Sequence, residues 1–363
     1  MQNRRRFLTT ALAAATAPVI GWAELGGPAY LAAAREPDGS YALHGLSARA
    51  EPLFRIPLPG RGHAAAAHPR AAEAVAFARR PGSFALVIDC GNGRISHRLA
   101  APEGHHFYGH GTYVAGGDIL CTTENHIDSG TGRIGLWLRR EGYRRIGEIA
   151  SGGIGPHDIL RLKDDVLAVA NGGIRTHPSQ GRDKLNLDTM RPNLSYLTAD
   201  GGLIEQVEPA PELHHASIRH LASAPDGTLA FAMQWQGDPT EPVPLLGLHR
   251  RGAPALLAQT DLANAISMRG YAGSVAFDRS GTHVAITSPR GGRVQLYDRS
   301  GALITAHRRA DACGIATGHE TGFLMTDGLG GTWSVTADNM RANRKSDLAW
   351  DNHLVAIGEG ISS

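Results

Sequence analysis

Histidine stands at five regularly placed positions in this chain, His63, His110, His157, His220 and His353, each opening a short, mostly apolar run. Imidazole is largely neutral near pH 7 and ligates zinc, copper, iron or nickel without a large proton penalty. Two further positions of the same kind hold Ser274 and Gly314. Successive members are 39 to 63 residues apart, and the first two intervals are both 47. That matches the ~40–50-residue period of propeller blades, with two units lengthened by insertions. Should the five imidazoles converge, the chemistry they offer is metal binding. Five ligands exceed what one ordinary site uses, so two to four of them would hold the ion.

Convergence requires every unit to build the same small sheet. Leu120, Leu167, Ala230, Val284 and Leu324 each lie ten residues after an opening position, inside the runs Ile119–Thr123, Val166–Ala170, Leu229–Met233, Val284–Thr287 and Phe323–Thr326. A third run follows, as in Phe84–Asp89, Ile134–Leu138, Leu194–Thr198 and Arg293–Asp298, and then a weaker fourth, as in Ile95–Leu99, Leu203–Val207 and Leu303–His307. Short β-branched or aromatic runs bounded by Gly, Asp, Asn and Pro are strands joined by tight turns. Seven such units predict an all-β fold, a seven-bladed β-propeller with four-stranded antiparallel blades. Tyr30–Ala34, Tyr41–Leu46 and Leu53–Leu58 lack an innermost strand, and His353–Ile357 is an innermost strand with nothing after it. The last blade is therefore expected to be closed by N- and C-terminal strands together, leaving no unpaired inner edge.

The 46 glycines and 20 prolines among 363 residues suit so many turns, and the net charge of +2, without a basic stripe, argues against a nucleic-acid partner. Asn3-Arg-Arg-Arg-Phe-Leu-Thr9, the mild apolar stretch Leu12 to Ile20 and the small-x-small site Gly21-Trp-Ala23 resemble a twin-arginine signal. Residues 1–23 are accordingly expected to be a leader and 24–363 a single propeller domain, periplasmic and without stable membrane insertion after cleavage. The stretch is short and alanine-rich, which disfavours a retained anchor. Cys90, Cys121 and Cys313 are odd in number and make no disulfide framework, so buried apolar roles are expected for them.

In a propeller the first strand of each blade starts at one face of the central channel and the second returns to it. The histidines would then share a mouth with Glu124, Asn125, Asn171 and Gln234, polar ends to otherwise apolar second strands. The insertion Gly172 to Asn193 carries Arg175, His177, Arg182 and Lys184 from that same mouth, and Arg219 and Arg269 lie close to opening positions. Together these residues suit an anion, a carboxylate or phosphate, or a metal bound as an anionic chelate. His68 competes with His63 for the opening of the first unit.

Gly62-His63, Thr123-Glu-Asn125, Gly152-Gly-Ile-Gly-Pro-His157, Ala170-Asn-Gly-Gly173, Lys184-Leu-Asn-Leu187, Met190-Arg-Pro192, Ser217-Ile-Arg-His220 and Trp350-Asp-Asn-His353 resemble, over nearly the whole chain, a bacterial family of exported propellers. That family carries a domain of unknown function and is classed with WD40-like, YVTN and quinoprotein-amine-dehydrogenase-like propellers. Its genes tend to neighbour those for imelysin-type periplasmic proteins and a dihaem oxidoreductase. The resemblance implies a part in iron uptake with an imelysin-type partner, and supplies no catalytic residues. Iron or copper is the expected ion. No CxxCH motif marks covalent haem and no GxSxG elbow is present. Two other classes stay open: a lactonase-like hydrolase using a metal-activated water beside Glu124, and a scaffold whose histidines only join blades. In WD-type repeats such a histidine comes with a partner Asp and a Trp-Asp ending, and no such set recurs here.

Overall fold

The apolar runs form the second strands of their blades, at Ile119–His126, Leu167–Asn171, Leu229–Trp235, His283–Ser288 and Phe323–Asp327. Leu167–Asn171 and Phe323–Asp327 are buried along their whole length, because a second strand has a hydrogen-bonded neighbour on each edge and another blade on each face. Outermost strands such as Arg144–Ala150 and Met340–Lys345 are mostly exposed, which accounts for their weaker apolar signal.

The computed structural model describes residues 20–79, 84–181 and 183–358, and contains seven four-stranded antiparallel sheets. The innermost strands, in ring order, are Gly62–Ala67, His105–Val114, Pro156–Arg161, Ala216–Ser223, Ser274–Phe277, Ala312–Thr317 and Ala349–Ala356, and each contacts the next. We number the blades one to seven in that order. Blade seven pairs Ala349–Ala356 with Tyr30–Arg35, which pairs in turn with Tyr41–Leu46 and that with Pro52–Leu58. The ring is thus closed by strands from both ends of the chain, as expected.

Apolar side chains fill the spaces between successive blades. Phe77 of blade one is fully buried against Phe107, Tyr113 and Leu120 of blade two. A Cβ on Gly111 would lie 2.6 Å from the Phe77 ring and 2.7 Å from the Cys121 carbonyl, so only glycine lets the two blades meet there. The three cysteines are buried and unbridged. Burial is the main reason the Cys90 and Cys121 thiols are pushed up to about 12.

Most of the segment expected to be a leader, residues 1–19, lies outside the described residues. Its end, Ile20 to Ala23, rests on blade one, with the Ala72 N–H donating to the Ile20 carbonyl and the buried Trp22 donating its Nε1–H to the His68 carbonyl at 2.9 Å. His68 therefore belongs to this outer strap and not to the central group. Among the described residues no helix is long and apolar enough to cross a membrane.

Candidate metal centre

Five of the innermost strands break register where their histidine lies. The shifts fall between Gly62 and Ala65, Phe107 and Gly111, Pro156 and Asp158, and Ile218 and His220, and, opposite Ala32 and Ala34, between Trp350 and Leu354. A bulge adds unpaired residues to one strand and re-aims their side chains. His63, His110, His157 and His353 are among the residues left unpaired, whereas in blade four Arg219 is skipped and His220 resumes the pairing opposite Ala232. His63 and His157 are second residues of their strands, whereas His110, His220 and His353 lie well inside theirs, which begin at His105, Ala216 and Ala349. The group thus sits within the channel instead of at its rim. The sequence pattern hid this because bulged residues do not alternate.

The five rings do not form a simple circle. His63, His157, His220 and His353 form a four-membered cycle with centroid separations of 5.6, 4.8, 4.8 and 4.5 Å in that order, closing back on His63. His110 contacts all four, at 4.9 Å from His63, 4.9 Å from His157, 5.9 Å from His220 and 4.7 Å from His353. It is the hub. Two three-histidine sets, His63 with His110 and His353, and His110 with His157 and His220, each bring their ligating nitrogens within 4.8 Å of one another. Gly109 makes room for His63 beside the hub, since a Cβ there would lie 2.8 Å from His63 Cδ2 and its φ of +103° is left-handed.

Two of the five rings have an outward nitrogen that is occupied. His110 Nδ1 lies 3.0 Å from Asp158 Oδ1, and His157 Nδ1 lies 3.0 Å from the Arg219 carbonyl oxygen. A carbonyl or ionised carboxylate can only accept, so in the neutral form of each ring Nδ1 carries the proton and Nε2 keeps the lone pair. His110 Nε2, His353 Nε2 and His220 Nδ1 are buried with no hydrogen-bond partner among the described residues. Burial holds His220 down to about 3, opposed by Asp158 and aided by His110, Arg219 and Arg79. It also holds His157 and His353 well below the usual imidazole value, with neighbouring histidines adding to the effect. Neutral, desolvated imidazoles with outward hydrogen bonds are what an all-nitrogen metal site needs.

Asp158, missed in the sequence, organises this arrangement. Besides His110 it accepts from the Ile159 N–H at 2.8 Å and the Leu221 N–H at 3.0 Å, and so ties blades two, three and four together. Burial raises its carboxyl, but the hydrogen bonds it accepts from His110 and the Leu221 N–H help hold it below the usual range. A carboxylate directly after His157, in an otherwise apolar innermost strand, was the available signal. Asp351 is a second such residue, accepting from Arg61 Nε at 2.6 Å and Arg79 Nη1 at 2.7 Å. The two positions without histidine have their own reasons. Ser274 Oγ accepts from the Ile315 N–H of the next blade at 3.2 Å, and a Cβ on Gly314 would lie 2.7 Å from the Leu354 nitrogen.

The other expected site residues are more dispersed. Glu124 is fully buried within blade two, its Oε1 accepting from Arg145 Nη1 and Thr122 Oγ1, both at 2.7 Å. Asn125 is buried opposite His106, with neither amide atom hydrogen-bonded among the described residues. Asn171 spends its amide inside blade three on Ser151, Asn193 and Ser195. Gln234 donates to the Ala272 carbonyl at 3.3 Å, across to blade five. His177 Nδ1 accepts from the Ser179 N–H in a short 3-10 turn. Arg182 lies outside the described residues. Arg219 is buried beside His220, and Arg269 is exposed past the helix Leu262–Ser267. Lys184 of the insertion is lowered in pKa by burial and then by the charges of Arg219 and Arg290.

A cavity of about 900 Å³ reaches the group from the side toward which the innermost strands run, lined by Ala66, His110, Asp158, Arg161, Ser223 and His353 among others. It is an access path of ligand size ending on two of the five histidines.

Solved structures similar to this chain are propellers. Hydrazine synthase from Kuenenia stuttgartiensis aligns with a TM-score of 0.58 at 12% identity, over 93% of this chain and 98% of that one. A functionally unknown protein from Desulfotomaculum acetoxidans DSM 771 aligns with a TM-score of 0.60 at 10% identity, over 90% and 99%. At such identities the likeness shows the fold alone. No curated protein matches the chain. The model of one family does match it, over residues 56–357, from the strand Pro52–Leu58 to the end of the closing strand. The chain therefore belongs to the family described as protein of unknown function, DUF1513.

Proposed function

We propose that this is a periplasmic metal-binding protein, exported through a twin-arginine leader, that handles iron in an iron-acquisition system and uses the histidine cluster as its site. One observation carries the reading: His110 and His157 commit Nδ1 outward, to Asp158 and to the Arg219 carbonyl, and so keep Nε2 for a ligand. Histidine ligands are held in this way, because the outward hydrogen bond fixes the tautomer and raises the basicity of the other nitrogen. His63, His220 and His353 would supply the remaining donors. The all-imidazole set suits iron, copper or zinc. Iron takes precedence because of the family resemblance, which also makes an imelysin-type periplasmic protein the proposed partner.

The test is element-resolved analysis of protein purified from the periplasm, beside a variant with His110, His157 and His220 all changed to alanine. Near-stoichiometric iron or copper, lost in a variant that stays folded, is the expected result. Absence of metal from both, even after loading, would overturn the reading and leave the histidines as blade-joining residues. The cavity reaching His110 and His353 favours a second reading, hydrolysis of an ester or lactone by metal-activated water. Turnover that disappears with the metal would support it.

A further inference from the structure

The arrangement of the five rings limits how an ion can be held, and the following rests on the metal-binding reading above. The two convergent sets lie on opposite edges of the four-membered cycle, His63 with His353 on one and His157 with His220 on the other. Both require His110, the single ring in contact with the other four. Its Nδ1 is bound to Asp158, which leaves Nε2, buried and without a partner among the described residues, as its one ligating atom. That atom has one lone pair and can serve one ion at a time. Charge points the same way. All five donors are neutral while deprotonated for binding and Asp158 brings one negative charge, so a second buried dication adds charge that these groups do not offset.

We infer that the cluster binds a single divalent cation in either of two overlapping three-histidine sets that share His110, so that the ion can pass from one edge to the other while keeping its bond to the hub. His353 lines the cavity, which makes its edge the first an incoming ion meets. A three-histidine set leaves a coordination position open, so the ion can take a ligand from the cavity or accept a histidine of the other edge as it moves. The protein would thus hold its metal exchangeably. A closed structural site would not.

Zinc titration of the full-length protein, followed by calorimetry and by elemental analysis after desalting, tests this. The native protein is expected to take up one equivalent. His63→Ala disables one edge and His220→Ala the other, and each should still bind one equivalent, weakened by about tenfold or less. His110→Ala, and the pair His63→Ala with His220→Ala, should bind at least about 100-fold more weakly than native. The pair leaves His157 and His353 on a diagonal of the cycle and leaves the His110–Asp158 hydrogen bond in place, so it answers the question even if His110→Ala does not fold. Two equivalents in the native protein would overturn the inference. So would a His110→Ala variant no weaker than either single-edge variant, or loss of binding in both single-edge variants. A folded native protein that binds no zinc, iron or copper would instead overturn the metal-binding reading itself.

Discussion

Asp158 accepts from His110, Ile159 and Leu221, and so serves the candidate site and the joins between blades at once. Asp158→Asn keeps the size but puts an amide NH2 where one of those donors points. Its expected cost is about 1–3 kcal/mol of stability and a 10- to 100-fold loss of metal affinity, roughly the effect of removing an outer-shell partner. Urea unfolding and zinc titration of the same variant check the two effects separately. Lower stability with unchanged affinity would make Asp158 a blade-joining residue only. Gly109 offers a second residue-scale test. Alanine there must adopt a left-handed φ and meet the His63 ring, so Gly109→Ala should lose about 1–3 kcal/mol, read as a lower urea midpoint.

The strap over blade one shows how an element can depend on one protonation state. His68 Nδ1 accepts from the Arg70 N–H at 3.1 Å and the Ala71 N–H at 2.8 Å, and its carbonyl accepts from Trp22. A protonated Nδ1 could accept from neither. Burial first, then the charges of Arg139 and Arg70, lower His68 from 6.5 to about 4. Because the folded value lies below the unfolded one, this contribution is fully present above 6.5 and is lost as pH falls through about 4. The melting temperature should therefore decline across that window, and His68→Gln, which has no proton to gain, should flatten the decline. An unchanged slope in the variant would assign the acid sensitivity to other groups.

For the whole molecule the closure of blade seven matters most, because there the innermost and second strands pair without a chain connection between them. Asp351, buried on the closing strand, bridges Arg61 and Arg79 of blade one. Arg61 is half exposed, which screens its share of the pair. Asp351→Asn is expected to lose about 1–3 kcal/mol, mainly by leaving Arg79 with a poorer acceptor. Hydrogen exchange should then rise first in Ala349–Ala356 and Tyr30–Arg35, the paired strands of the closure. A uniform rise over all seven blades would mean that the closure is not the weak point.

The repeat of short apolar runs determined the blade count, the strand order and closure by both ends, because each rests on local alternation and turn chemistry that the sequence displays directly. It also identified the five histidines, whose spacing follows the blade period. That His110 occupies the centre, with the other four around it, was decided only in the tertiary structure. Bulges set where a side chain points when alternation fails, and their geometry depends on the neighbouring strand. Glu124 illustrates the same limit: its place at the end of a second strand was legible, but its side chain turns to Arg145, a partner that lies two strands away in the sheet. Asp158 reaches His110 across a blade boundary, where residues 48 positions apart in the chain come within a hydrogen bond of each other. Local sequence specified each blade, and the packing of blades around the axis decided which nitrogens face one another.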